Sequence, residues 1–436
     1  AARGDGVSAL PYSWKLKYFP DRWELRRLKH VGTVMSGTGF PHEYQGTENE
    51  EFPFLKVSDM SAPGSEKWIS HAVNSVSMAT AKELGASIVP EHSIVYAKIG
   101  AALLLNKRRL VGRPSCIDNN MSAFVPSSVT PEWALWWMST LDFGEYVNPG
   151  TIPSFTEGQQ KDLPFLVPPL EIQRLIANYL DRETARIDGL IAEKERMLAL
   201  LEEKRAALIS RAVTRGLDPN APLKLSGQEW LGETPAHWEE PRAKGLFHEI
   251  DRRTETGEET LLSLRMGKGL VPHNDVSEKL LEANDVTGFK KIEPGQMVIN
   301  RMRAASGLIA VATEPGLVSP DYAVFDVVDQ ELSIEYFLEL FKTSLLQAVF
   351  RSSSKGLGTG EQGFLRLYTD AFLSLHFPYP PIGEQRAIAS FIKQQCSEML
   401  HMESLLRRSI DLAKERRAAL ITAAVTGQIP LEAMRE

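Results

Sequence analysis

Pro168-Pro169-Leu170-Glu171-Ile172-Gln173-Arg174-Leu175-Ile176-Ala177 opens a stretch that runs to Thr214 and occurs twice in the chain. Moved by 212 residues it falls, without a gap, on Pro380-Pro381-Ile382-Gly383-Glu384-Gln385-Arg386-Ala387-Ile388-Ala389 and runs to Thr426, with 17 of 47 paired positions identical. The identities gather at the two ends. Glu203-x-Arg205-Ala206-Ala207-Leu208-Ile209-x-x-Ala212-Val213-Thr214 closes the first copy, and Glu415-x-Arg417-Ala418-Ala419-Leu420-Ile421-x-x-Ala424-Val425-Thr426 closes the second. A repeat this long, once per half-chain, means two similar units.

Each copy reads as one long helix. Proline suits its first turn, where the missing N–H costs nothing, and no other proline follows until Pro219. Steps of 3.5 residues pick out Ile187, Ile191, Lys194, Leu198, Leu201, Arg205, Leu208 and Ala212, six of eight apolar. The second row, Met399, Glu403, Leu406, Ile410, Ala413, Arg417, Leu420 and Ala424, also has six of eight apolar. That spacing is a coiled-coil seam; two separate amphipathic helices, each packed on its own domain, are the plainer alternative. Helices of this length span roughly 65 Å at ~1.5 Å per residue. A globular domain between them makes antiparallel pairing the easiest connection, with a pseudo-two-fold axis and two equivalent partner surfaces.

At 436 residues the chain has room for two or three domains. No apolar run approaches a membrane span, and the start lacks a signal pattern, so a cytoplasmic protein is expected. Two cysteines, Cys116 and Cys396, exclude a disulfide framework and a cysteine-rich metal site. A net charge of −7 argues weakly against nucleic acid, although acidic scaffold and basic face can be segregated.

Residues 1–18 form a loosely specified start. A domain then opens at Pro20-x-x-Trp23-Glu24, answered by Pro235-x-x-Trp238-Glu239. Phe52-Pro53-Phe54-Leu55-Lys56-Val57 and Ser93-Ile94-Val95-Tyr96-Ala97-Lys98-Ile99 have strand composition. The latter aligns with Gln296-Met297-Val298-Ile299-Asn300-Arg301-Met302, and the helical run 131–138 aligns with 334–341. Offsets of 215, 203 and 212 show loops that differ between halves around a helix that does not.

The sequence holds no phosphate loop, no His-Glu-x-x-His and no His-x-Glu with Cys-x-x-Cys, nor the Asp/Asn-Pro-Pro-aromatic signature of amino-methyltransferases. Its histidines lack metal-ligand spacing, and no metal site is expected. Gly356-x-Gly358-x-Gly360 follows Ser352-Ser353-Ser354-Lys355, not a strand, and reads as a mobile loop. What remains is basic clustering: Lys98, Lys107, Arg108, Arg109 and Arg113 in the first half, and Arg265, Lys268, Arg301, Arg303 and Lys355 in the second. Such residues neutralise phosphates, and arginine also reads guanine edges; a solvated charged surface explains any one of them equally well. Lys98 and Arg301 occupy equivalent positions. The row Trp133, Trp136, Trp137 reads as core rather than as a base-stacking platform.

Pro-Pro-x-x-x-Gln-Arg-x-Ile-Ala at 168–177 and 380–389, the two Arg-Ala-Ala-Leu-Ile-x-x-Ala-Val-Thr ends, Pro20-x-x-Trp23 and Trp230-Leu231-Gly232-x-x-Pro235-x-x-Trp238 carry a resemblance over nearly the whole chain. It resembles the specificity subunits of type I restriction–modification systems. Glu384-Gln385 matches the family motif, whereas the first copy reads Ile172-Gln173, a departure expected to touch only local helix-start chemistry.

The resemblance implies an α+β fold: two mixed α/β target-recognition domains separated by a long antiparallel two-helix coiled coil. Boundaries are expected at 1–165 for the first domain, 166–215 for the first helix, 216–378 for the second domain and 379–436 for the second helix and tail. Each domain would read half of a bipartite asymmetric site in double-stranded DNA. The helices would set the spacing and dock two DNA methyltransferase (modification) subunits carrying S-adenosylmethionine, with restriction/translocase subunits able to join. No cofactor and no catalysis are expected of this chain itself. Docking and spacing fall to the repeated polar residues Gln173, Arg174, Arg205, Gln385, Arg386 and Arg417; the seam arginines Arg205 and Arg417 either meet acids across the seam or mark the docking surface. Rival readings are a two-headed protein scaffold without a DNA role and a self-contained enzyme.

Overall fold

The computed structural model describes residues 20, 22–64, 66–147, 152–277, 283–329, 331–357 and 364–435. The expected loose start and Gly358 and Gly360 of the glycine-rich loop lie outside the described residues.

The first domain is built on four antiparallel strands. They are β1 (Gly32–Ser36), β2 (Ile94–Ala97), β3 (Arg108–Val111) and β4 (Met121–Pro126), ordered β1-β4-β2-β3. Trp68–Ile69 adds a parallel edge strand to β3. Alternation along β2 sends Ile94 and Tyr96 into one core and Val95 and Ala97 into another, so both faces of the sheet are covered and β2 reads as an unbroken apolar run. Helix α1 (Pro131–Ser139) covers one face, its Thr130 hydroxyl accepting from the Trp133 N–H as an N-cap. Trp133 and Trp137 are fully buried and donate through their indole N–H groups to the carbonyls of Leu166 and Pro164, at 3.0 and 2.9 Å. The tryptophan row is core, as expected.

α2 (Leu170–Arg215) is the first long helix. The second domain then repeats the sheet with β5 (Phe247–Ile250), β6 (Met297–Asn300), β7 (Ile309–Val311) and β8 (Tyr322–Val327), ordered β5-β8-β6-β7. Here too the central strand alternates between cores, with Met297 and Ile299 on one side and Val298 on the other. Helix α3 (Ile334–Phe341) takes the place of α1, and α4 (Ile382–Val425) is the second long helix.

The chain divides into two compact units, residues 1–193 with 409–436, and residues 194–408. Each long helix is shared between them, so each unit holds the start of one and the end of the other. Within the first unit Ile176, Ala177 and Leu180 of α2 share a core with Ile421, Ala424 and Val425 of α4, and Arg417 Nε donates to Asp188 Oδ1 at 2.8 Å. Within the second, Ala212 and Val213 share a core with Ile388 and Ile392. In both units rising numbers on one helix meet falling numbers on the other, so the helices pair antiparallel. Every expected seam position is buried or half-buried, which excludes the reading of two independent amphipathic helices. No helix among the described residues is long and apolar enough to cross a membrane.

The repeated ends anchor the helices to the domains. Gln173 Oε1 accepts from the backbone N–H of Thr130 at 2.8 Å, while its Nε2 donates to the Pro168 carbonyl at 2.8 Å. Gln385 does the same with Ser333 and Pro380, both at 2.8 Å. Thr130 and Ser333 are the N-caps of α1 and α3. The docking role expected of Gln173 and Gln385 is therefore corrected: both are buried, and both clamp a domain helix to a long helix. At the other ends, Gly216 and Gly427 follow the helices in the left-handed region, at φ +73° and +71°. A Cβ on Gly216 would meet Trp238 Cζ2 at 3.2 Å, and one on Gly427 would press on Pro20 and Trp23. Each Pro-x-x-Trp entrance thus packs on the glycine that ends a long helix, where only glycine leaves room.

Candidate nucleic-acid interface

In the first domain, residues adjacent in sequence are dispersed in space. β2 and β3 run antiparallel with Tyr96 opposite Arg108, so Lys98, beyond the end of β2, and Arg113, beyond the end of β3, sit at opposite ends of the pair. Arg108 is buried. Its guanidinium donates to the carbonyls of Leu141 and Asn106 and to Asn106 Oδ1, and lies 3.8 Å from the centroid of the Phe143 ring. Burial pushes its pKa down to about 9, with Asp142 and Tyr96 opposing. The DNA role expected of Arg108 is corrected: every polar group it reaches belongs to its own domain.

Arg109, half-buried, donates to the Arg108 carbonyl at 2.8 Å and lines a groove against the long helices with Lys67, Asp181 and Arg417. There Asp181 Oδ1 accepts from Lys67 Nζ at 2.6 Å and from Trp136 Nε1 at 3.0 Å. Lys107 Nζ donates to Ser61 Oγ at 2.6 Å, and exposed Arg113 donates to the Glu51 carbonyl at 2.7 Å. Lys98 is half-buried; burial lowers its pKa, and Glu157 and Asp118 act against that shift.

The second domain gathers its cations. Arg301 is not one of them, and this too is a correction. Its guanidinium is largely buried against the Glu249 carboxylate and donates to Thr369 Oγ1 at 3.0 Å. Buried Lys290 joins that pair, with Nζ 3.4 Å from Glu249 and 3.7 Å from Asp251. Arg301 instead holds together the segments that carry exposed cations. Its carbonyl accepts from Leu367 N at 2.9 Å, and the tight turn after it, closed by Arg303 N donating to the Asn300 carbonyl at 2.9 Å, presents Arg303 to solvent.

Asn300 pairs with Tyr322 at the start of β8. Burial raises the pKa of that phenol, while Asn300 and the charges of Arg265 and Arg303 act to lower it. Arg265 and Lys268 sit at the tip of a two-stranded ribbon, Leu262–Arg265 with Gly269–Pro272. A second ribbon sets Lys355 opposite Arg366, and Arg366 pairs with Asp321, next to Tyr322, at 3.3 Å. Arg265, Arg303 and Arg366 therefore gather at one edge of the sheet, with Lys268 and Lys355 on the ribbons that bear Arg265 and Arg366. Arg366 went unnoticed in the sequence. Its signal is the 212-residue offset, which continues upstream of the long helix and matches it to Ser154.

The same edge exists in the first domain. Phe155 N donates to the Lys98 carbonyl at 2.9 Å, as Leu367 N does to Arg301. Lys98, exposed Asn119 and Asn120, and the apolar Ile99 and Ile152 stand there in place of the arginines.

Residues 20–196 match the family model described as type I restriction modification DNA specificity domain. Residues 20–196 therefore carry a type I restriction–modification DNA specificity domain. The fold of the chain is similar to that of a chain solved in work on complex assembly and conformational transition of the type I R-M system, with a TM-score of 0.68 at 14% identity, covering 94% of this chain and 100% of that one. It is also similar to the HsdS subunit from Thermoanaerobacter tengcongensis, with a TM-score of 0.53 at 16% identity, covering 95% and 99%. No curated protein matches it.

The remaining repeated residues divide by orientation. Arg174 and Arg386, each following a buried glutamine, are exposed. Arg205 bonds Glu202 of its own helix at 2.8 Å, whereas Arg417 crosses the seam to Asp188. Glu384 accepts from Trp238 Nε1 at 3.1 Å and lies 2.8 Å from His237 Nε2. Ile172, at the same place in the first copy, packs on the first core instead. The Glu/Ile departure thus reaches the domain entrance, contrary to the expectation that it stays local to the helix start.

Proposed function

We propose that this chain reads a bipartite, asymmetric target in double-stranded DNA, one half-site per domain, for a type I restriction–modification complex. The long helices set the spacing between half-sites and dock two copies of the DNA methyltransferase (modification) subunit. Those subunits bring S-adenosylmethionine; this chain binds no cofactor. Two restriction/translocase subunits can join, and the complex works in the cytoplasm, where its DNA is.

The observation that carries the reading is the cationic edge of the second domain, formed where the duplicated sheet of the first domain bears a differently composed edge. One frame with two chemistries is what two different half-sites require. For docking, the support is exposed Arg174 and Arg386 together with apolar residues that recur on the outer surface of the helices. Leu190 matches Met402 and Leu200 matches Leu412 at the 212-residue offset, and all four are exposed.

The test is binding of the complex, purified with its modification subunits, to randomised duplex DNA. Enrichment of a split sequence is expected. Lys268→Ala should weaken binding and lower the salt slope by about one, as for a lost phosphate contact. A two-headed protein scaffold without a DNA role would show neither effect. Inserting one heptad in both helices, near Leu198 and Ile410, should change the tolerated spacer and leave both half-sites as they were.

A further inference from the structure

The ribbon of the second domain has no counterpart in the first among the described residues. Leu261 pairs in parallel with Leu317, as Phe54 does with Cys116. After that shared start the chains part: the first domain enters the short helical turn Val57–Ser61, and the second extends into the strands Leu262–Arg265 and Gly269–Pro272. One side of the ribbon is anchored. Leu262 and Leu264 are buried with Val298, Ala310 and Val324, and Leu270 and Tyr322 pack against that cluster. The tip faces solvent, with Arg265 and Lys268 exposed and Met266 61% exposed.

A two-stranded ribbon fits the major groove of B-DNA, and arginine is the side chain that bonds guanine O6 and N7 together. An exposed methionine between two cations, on a ribbon rooted in a core, is what a groove-inserted tip requires; a phosphate-binding surface has no use for it. Arg303 is held by a turn whose backbone bonds are closed at both ends: Arg303 N to the Asn300 carbonyl at 2.9 Å, and Leu308 N to the Arg303 carbonyl at 3.2 Å.

Resting on the reading of this chain as a DNA-specificity subunit, we propose that the ribbon 262–272 enters the major groove and that Arg265, with Arg303 beside it, reads guanine in the half-site of the second domain. Lys268 takes the flanking phosphate. At the first domain's edge, built from residues 98–99, 118–120 and 152–155, no arginine stands among the described residues, so arginine-read guanine is confined to one half-site.

The complex purified with its modification subunits is selected on randomised duplexes, then titrated with the selected site. The selected half-site of the second domain contains guanine. Arg265→Ala relaxes that position, leaves the other half-site unchanged and weakens binding to the selected site about 5- to 150-fold, the range for a lost bidentate contact. Arg265→Lys keeps the salt dependence but also loses the choice of guanine, since an ammonium lacks the paired donors. Replacing that guanine by 7-deazaguanine weakens binding of the parent chain and leaves Arg265→Ala unaffected. A second half-site without guanine, or Arg265→Ala that still selects it, overturns the proposal while the DNA-specificity reading stands. Failure to enrich any sequence overturns that reading itself.

Discussion

Gln385→Ala is the substitution that most directly tests how the long helices hold their domains. The side chain is fully buried and makes two bonds of 2.8 Å, accepting from Ser333 N and donating to the Pro380 carbonyl, plus a longer one of 3.4 Å to the Glu331 carbonyl. Truncation orphans a buried N–H and a buried carbonyl. Each costs about 1–3 kcal/mol, and a void opens beside them. Water entering that void recovers part of the loss, so an overall cost of about 3 kcal/mol is expected, a large share of the roughly 5–15 kcal/mol that holds a domain together. The assay is urea unfolding followed by tryptophan fluorescence. Trp238 reports directly, because its indole N–H donates to Glu384, the neighbour of Gln385. With a urea slope of about 1–3 kcal/mol per molar, the midpoint should fall by roughly 1–3 M.

Arg386→Ala is the control. It alters the next residue, which is exposed, and should stay within about 0.5 kcal/mol of the parent while weakening capture of the modification subunit. If Gln385→Ala kept the parent midpoint and lost only that capture, the clamp would be a docking residue after all and the reasoning here would be refuted. Gln173→Ala should reproduce the destabilisation in the first unit, read by Trp133, whose helix is capped by the residue that Gln173 holds.

Three further outcomes are expected. Arg108→Ala should destabilise the first unit by about 3 kcal/mol, through orphaned carbonyls and a cavity against Phe143, and should change DNA affinity less than twofold when measured well below the unfolding temperature. Glu259 is held at a pKa of about 2 against an ordinary 4.5, chiefly by its hydrogen bond with Lys291. A depressed carboxylate stabilises the fold above its unfolded pKa and loses that contribution as pH falls through the window from 4.5 to about 2, so Glu259→Gln should flatten the loss of stability measured across that window. The Cys116 thiol is pushed up to about 11 by burial and is inaccessible, whereas half-buried Cys396 is also raised. A disulfide reagent at pH 8 should therefore label Cys396 slowly, and Cys116 only on unfolding.

Periodic features were legible in the sequence. The seam of the long helices, the paired strands at 94–97 and 297–300 and the buried tryptophans follow from apolar spacing alone, because spacing survives without knowledge of distant contacts. Charge was legible only as composition. Arg108 lies in the run Lys107-Arg108-Arg109, and nothing local says that Phe143 and the Leu141 carbonyl will close over its guanidinium from 33 or more residues away. Arg301 looked like the partner of Lys98, and its backbone is; its side chain is committed by Glu249, 52 residues distant. The ribbon tip was misjudged for another reason. Gly267 and Gly269 both adopt positive φ, at +71° and +72°, a turn signal printed in Arg265-Met266-Gly267-Lys268-Gly269, but the segment was weighed for charge and not for shape.

The uneven spread of identities along the repeat has a physical cause. At the starts, Gln173 and Gln385 bond the same two kinds of backbone group at the same distances, a task that admits no other side chain: the amide must accept from an N-cap N–H and donate to a carbonyl at once. At the ends, Gly216 and Gly427 take left-handed φ where a Cβ would crowd Glu384 and Trp238 at the first and Pro20 at the second. Between these anchors the seam needs only to stay apolar or paired, and there the copies drift. Arg205 and Arg417 illustrate the freedom. Both are seam arginines at matched positions, but the acid that Arg417 meets, Asp188, is replaced in the other copy by Leu400. Arg205 therefore turns back to Glu202 on its own helix, and each solution exposes the charge enough that neither contributes more than about 1 kcal/mol. The repeat is strict where a domain is fastened and loose where helix meets helix. On the reading proposed for this chain, changing the bases read would require no change in the fastenings, since Arg265, Arg303 and the ribbon stand on segments that no clamp residue touches.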